Sequence, residues 1–75
     1  MSSIYSDEYQ LVINILRNER IRKGLTQKNF ADIVGKPQSF ISKVESGERR
    51  LDFVEFIHLA RLLSLDPCEI ILKIP

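Results

Sequence analysis

The 75-residue sequence predicts a single all-α domain of five short helices. Three observations lead there. Every segment repeats its apolar residues at helical spacing, and none alternates apolar with polar as a half-buried strand does. Three helix starts share one device, an N-cap residue preceded by an apolar residue that can staple onto another in the first turn. Gly24, Gly35 and Gly47 fall where the periodic stretches stop.

The first helix is expected to start after Ser6 as N-cap, with Asp7 and Glu8 where the helix dipole favours negative charge. Its apolar stripe is Tyr9, Val12, Ile13 and Leu16, continued by Arg20, which therefore points to the core side. The second helix, about Gln27 to Val34, follows Thr26 as N-cap with Leu25 stapled onto Phe30, and is expected to bury Phe30, Ile33 and Val34. After Gly35, Pro37 restarts the chain as a third helix that ends near Ser46 and Gly47. The fourth, about residues 53 to 64, opens with an acidic capping box, Asp52 with Glu55, and a Leu51–Phe56 staple. It should turn Phe53, Phe56, Ile57, Ala60 and Leu63 inward and Glu55, His58 and Arg61 outward. The fifth, about residues 67 to 73, repeats the box with Asp66 and Glu69, Pro67 at its first position and Leu65 against Ile70.

A hydrophobic content of 44% allows a compact fold, and 28% charged residues argue against both a membrane protein and a disordered tail. No apolar run approaches the roughly 20 residues that span a bilayer. The start "MSSIYSDEYQ" lacks the basic residues and apolar block of a secretory signal. A lone cysteine makes no internal disulfide, so a reducing, cytoplasmic setting is expected. Net charge is only +1, but it is unevenly placed. Residues 20 to 50 hold eight cations against three anions, and the rest holds three against seven. A basic middle between acidic ends suits a polyanion-binding face.

That middle contains the informative motif. Two helices joined through Gly35 in so few residues must cross steeply, and Ala31 is small enough for a close crossing. The spacing Ala31, Gly35, Ile41 is that of a DNA-binding helix-turn-helix. On a helix from Gln38, residues Gln38, Ser39, Ser42 and Lys43 share about 140° of arc, while Ile41 and Val44 lie on the other side. The arc offers an amide, two hydroxyls and an ammonium. Glutamine pairs with adenine N6 and N7, lysine reaches guanine O6 or N7, and serine serves several bases. Gln38, Ser39 and Lys43 are therefore assigned to base edges, with Ser42 a base or phosphate contact. Phe40, at the edge of the arc, is either a boundary core residue or an apolar contact to a thymine methyl.

The stretch "LTQKNFADIVGKPQSFISKVESGERRLDFVEFIHLARLLSLDP" resembles the lambda-repressor and Cro-like helix-turn-helix family, also called the xenobiotic-response-element family. The resemblance covers about residues 17 to 72. It joins "LTQ", the Ala–Gly–Ile spacing, "ISKVESG" and the apolar helix after "RRLD". It implies a five-helix lambda-repressor-like domain, with the helix-turn-helix at helices 2 and 3, that binds operator DNA, usually as a two-fold dimer. It also implies that Gln27 grips a phosphate and braces Gln38. Lys28, Lys36, Arg49 and Arg50 are candidate contacts to the DNA backbone, each with a solvated side chain as the plainer alternative. Glu45, an acid beside a DNA face, needs a partner elsewhere. Similar domains suggest a buried ion pair with Arg20 that ties the first helix to the third. The chain departs from the family pattern at Lys36, more often apolar, and at Pro37, where Ser or Thr usually caps the third helix.

Other features point to no chemistry. His58 lacks a second ligand or carboxylate at useful spacing, and Cys68 lacks a nearby His or second Cys. No metal spacing, glycine-rich phosphate loop or nucleophile elbow occurs, so no enzymatic activity, cofactor, metal or small-molecule substrate is expected. In "CEIILKIP", Ile70 with Ile74 can return to the core. Ile71, Leu72 and Ile74 would leave an exposed apolar patch unless another subunit covers them, and they join Val54 as an expected homodimer interface. The sequence thus reads as a transcriptional regulator, most simply a repressor on a palindromic double-stranded operator. The alternative is a protein-interaction module or antitoxin-like subunit that retains the fold.

Overall fold

Ile13, Leu16 and Arg20 recur three or four residues apart, and the helix they build is the longest of the domain. A computed structural model describes residues 4–75, with side chains from residue 7. It contains α1 (Ile4–Arg22), α2 (Gln27–Val34), α3 (Gln38–Ser46), α4 (Phe53–Leu62) and α5 (Pro67–Leu72), with no strand among the described residues. α1 begins at Ile4, so Ser6 lies inside the first turn instead of capping it. The three added residues make nearly one further turn, gained by propagating an existing ladder at one hydrogen bond per residue.

The later starts use side-chain caps. Thr26 accepts from the Asn29 N–H at 3.0 Å and the Asn29 side chain returns the bond, a reciprocal box that includes a residue not singled out in the sequence. Asp52 and Glu55 form the expected box. At α5 only half of it forms. Asp66 accepts from the Cys68 N–H at 2.9 Å, one residue short of Glu69, and Glu69 makes no return bond. Leu25, Leu51 and Leu65, the outer halves of the three staples, all pack against the core. Gly35 has φ +80° and sends its N–H back to the carbonyls of Ala31 and Asp32, so α2 ends and reverses within one residue. An L side chain is strained at that φ even where space is open.

The core is Ile13, Leu16, Phe30, Ala31, Ile41, Val44, Phe56, Leu59, Ala60, Leu63 and Ile70. Ala31 is 1% exposed, as the close α2–α3 crossing requires. Two expected core residues lie outside. Ile33 is 51% exposed because it sits roughly 100° from the centre of the Phe30, Ala31, Val34 stripe. Phe53 is 68% exposed, for it begins α4 and its side chain leans back past the helix end. Leu59, not assigned inward from the sequence, is buried in its place.

Tyr9 ties α1 to the segment before α4, its hydroxyl accepting from the Leu51 N–H at 2.9 Å. Tyr9→Phe should lower stability by about 1 kcal/mol, because a part-buried N–H loses its partner. Thermal unfolding followed by circular dichroism checks this, and an unchanged midpoint would show that water replaces the bond without loss.

Candidate nucleic-acid interface

α3 is amphipathic in an unusual way. Ile41 and Val44 are 1% and 3% exposed, whereas Gln38, Ser39, Ser42 and Lys43 all face solvent. Among the described residues none of these four side chains makes a hydrogen bond or an ion pair. Pro37 caps α3 without a side-chain hydrogen bond; the Phe40 N–H turns back to the Pro37 carbonyl at 3.0 Å, which leaves the N–H groups of Gln38 and Ser39 as weak anion donors. Hydrogen-bonding groups on this face therefore remain uncommitted.

Beneath the face, Arg20 is only 7% exposed and its charge is matched. Its Nε donates to Glu45 Oε2 at 2.7 Å, and a second guanidinium nitrogen donates to Oε1 at 3.0 Å. A third donates to the Leu25 carbonyl at 2.6 Å. This bidentate geometry joins α1, the α1–α2 loop and α3. Arg17, not assigned from the sequence, stands 3.8 Å from Glu45 with its side chain half exposed, a looser contact. Its position three residues before Arg20, on the same side of α1, is the signal that could have found it. No buried side-chain nitrogen or oxygen among the described residues lacks a partner.

Gln27 does not brace Gln38. Its amide donates to Glu45 Oε1 at 3.1 Å, extending the Arg20–Glu45 pair. An ionised carboxylate with a spare lone pair is a stronger acceptor than another amide, and Gln38 keeps its amide free.

The cations differ in how far they are committed. Lys28 pairs loosely with Asp32 at 3.6 Å, both well exposed. Among the described residues Lys36 has no carboxylate within 4.0 Å, and it lies 5.7 Å from the centre of the Phe40 ring. Arg50 lies 4.9 Å from the Tyr9 ring. Arg49 is held most firmly. It donates to both Glu55 oxygens, at 3.0 and 2.9 Å, and to the Arg50 carbonyl, and its guanidinium stacks 4.7 Å from Phe40. These hydrogen bonds, followed by the one from the Asp52 N–H, hold the Glu55 carboxyl below its ordinary range, and they push Arg49 higher. A depressed carboxylate stabilises the fold above its unfolded pKa and loses that contribution as pH falls through the lower folded value. The clamp on the loop before α4 therefore belongs to neutral pH and loosens in acid. Phe40 is half-buried and packs against the core, which places it at the core boundary.

The remaining sequence-derived set lies apart, on the start of α4, on α5 and just beyond its end. Val54, Ile71 and Leu72 are 57%, 45% and 83% exposed, and Ile74 is half-buried. Ile71 and Ile74 line an apolar groove of about 220 Å³ with Tyr9, Val12, Leu51 and Phe53. Phe53 thus adds to this surface what it withholds from the core. His58 and Cys68 are exposed. Among the described residues no group of three or more His, Cys, Asp or Glu side chains could hold a metal ion, and no helix is long and apolar enough to cross a membrane.

Comparison with known proteins agrees with this geometry. The helix-turn-helix family model matches residues 16–70. A solved structure described as an XRE-family like protein from Pseudomonas syringae pv. tomato str. DC3000 is similar, with a TM-score of 0.87 and 41% sequence identity. The match covers 95% of this chain and 87% of that one. No curated protein matches.

Proposed function

Because the chain belongs to the XRE-type, lambda-repressor- and Cro-like helix-turn-helix family of DNA-binding transcriptional regulators, we propose that it reads a palindromic operator as a homodimer and represses by occupying it. The observation that carries this reading is the free polar face of α3. Gln38 and Lys43 there have the chemistry to read adenine and guanine edges, with Ser39 and Ser42 beside them. The exposed N-terminal turn of α3 enters the major groove, the usual docking of a second helix-turn-helix helix. Lys36 and Arg50, with Lys28 and the α2 N-terminus beside Gln27, take the flanking phosphates. Arg49, already neutralised by Glu55, adds less charge and chiefly holds the loop in position. The setting is cytoplasmic, and the chain acts by binding, with no catalysis of its own. A titration against mixed genomic fragments at two salt concentrations tests the reading. Binding that falls steeply with salt supports it, whereas no binding, or binding indifferent to salt, leaves a protein-interaction module.

Pairing uses the apolar surface of Val54, Ile71, Leu72 and Ile74, with half-sites about 34 Å apart along the duplex. Leu72→Glu should give a folded monomer by sedimentation and weaken operator binding about 100-fold or more, since the second subunit no longer binds as part of one assembly. A wild-type chain that sediments only as monomer at micromolar concentration would remove the dimer.

A further inference from the structure

A groove of about 280 Å³ lies between the α2–α3 turn and α4, apart from the reading face and from the dimerisation surface. Its apolar lining is Val34, Phe40, Leu59 and Leu62, and its cations are Lys36 and Arg61. Among the described residues neither cation has a carboxylate within 4.0 Å. The one carboxylate in the lining, Glu55, is occupied by Arg49, and His58 completes the polar lining. The groove therefore combines apolar walls with two cations that make no close ion pair, Lys36 acting on Glu55 only at longer range. Its volume is close to the lower end of ordinary ligand pockets, about 300 Å³, which suits a flat body of one or two rings.

We propose that this groove is an effector site for a small aromatic carboxylate. The rings lie against Phe40, Leu59 and Leu62, and the carboxylate meets Lys36 and Arg61. An anion bound there has a consequence for DNA. Lys36 leaves the phosphate-binding set, so the bound ligand weakens DNA binding and lowers the salt slope by about one per subunit. That consequence rests on the DNA-reading proposal, while the binding itself does not.

The test uses the DNA-free full chain, titrated with naphthoate and, as a neutral control, naphthyl methanol, and followed by proton–carbon correlation spectra. Saturable shifts are expected at Val34, Phe40, Leu59 and Leu62, with affinity about tenfold lower for the neutral compound and for Arg61→Ala, each of which loses a charge-assisted bond. Shifts centred on Phe53 and Ile74, equal affinity for the neutral compound, or no saturable shift would overturn the site. On DNA, naphthoate should weaken the wild type, and about tenfold more of it should be needed to weaken Arg61→Ala to the same extent. If naphthoate binds as expected and DNA affinity stays constant, the regulatory half of the proposal is wrong. A chain that binds no DNA at all would sink the functional reading and leave the spectra to decide the site.

Discussion

Glu45→Ala is expected to destabilise the domain by about 3–5 kcal/mol, the usual result of removing one half of a buried ion pair. Arg20 is 7% exposed in the intact domain, and removing the carboxylate leaves its guanidinium the Leu25 carbonyl as its one remaining hydrogen-bond acceptor among the described residues. Gln27 loses its acceptor at the same time. The half-exposed Arg17 contact is too loose to matter, since exposed pairs contribute about 0–1 kcal/mol. For a domain of this size the unfolding midpoint should fall by at least about 12 °C. A paired replacement, Arg20→Met with Glu45→Leu, should recover much of the loss, because two well-packed apolar side chains avoid the stranded charge. Circular dichroism against temperature reads all three proteins. A Glu45→Ala midpoint within a degree or two of wild type would mean that water reaches Arg20 and that the pair does not anchor α3.

The second large effect concerns binding and spares stability. Gln38→Ala and Lys43→Ala remove exposed side chains without internal partners, so unfolding should shift by no more than about 0.5 kcal/mol. Each lost base contact is worth about 1–3 kcal/mol per half-site, and a symmetric dimer loses it twice. Operator affinity should therefore fall by about 2–6 kcal/mol for each variant, with preference relaxed at one position in each half-site. Lys36→Ala is the control, expected to weaken all sequences alike and flatten the salt slope. Competition between the operator and its single-base variants distinguishes the two patterns. Uniform weakening by Gln38→Ala and Lys43→Ala would reduce these residues to phosphate contacts.

Much of this was legible in the chain because its signals are local. Thr26, Asp52 and Asp66 mark helix starts through bonds to residues two or three positions on, and helical spacing alone separates Gln38, Ser39, Ser42 and Lys43 from Ile41 and Val44. Side-chain partners across elements were harder to read. Gln27 chose Glu45 over Gln38 because three helices bring a charged acceptor to it, a proximity absent from local spacing. Arg49 reads locally as a phosphate contact and Glu55 as half of a cap, yet the fold of the intervening loop makes them one bidentate pair. Phe53 fits the apolar stripe of α4 by periodicity and misses the core because the helix begins there. Periodicity gives the face of a side chain, and helix length and docking decide whether anything covers it.

The polar face of α3 is expected to lie in the major groove. Duplexes selected by the protein from random DNA, then lightly methylated with dimethyl sulfate, test it most directly, since the reagent marks guanine N7 in the major groove and adenine N3 in the minor groove. Interference at guanine N7 is expected in two related half-sites about one helical turn apart. Failure to enrich any sequence, or interference confined to adenine N3, would contradict it.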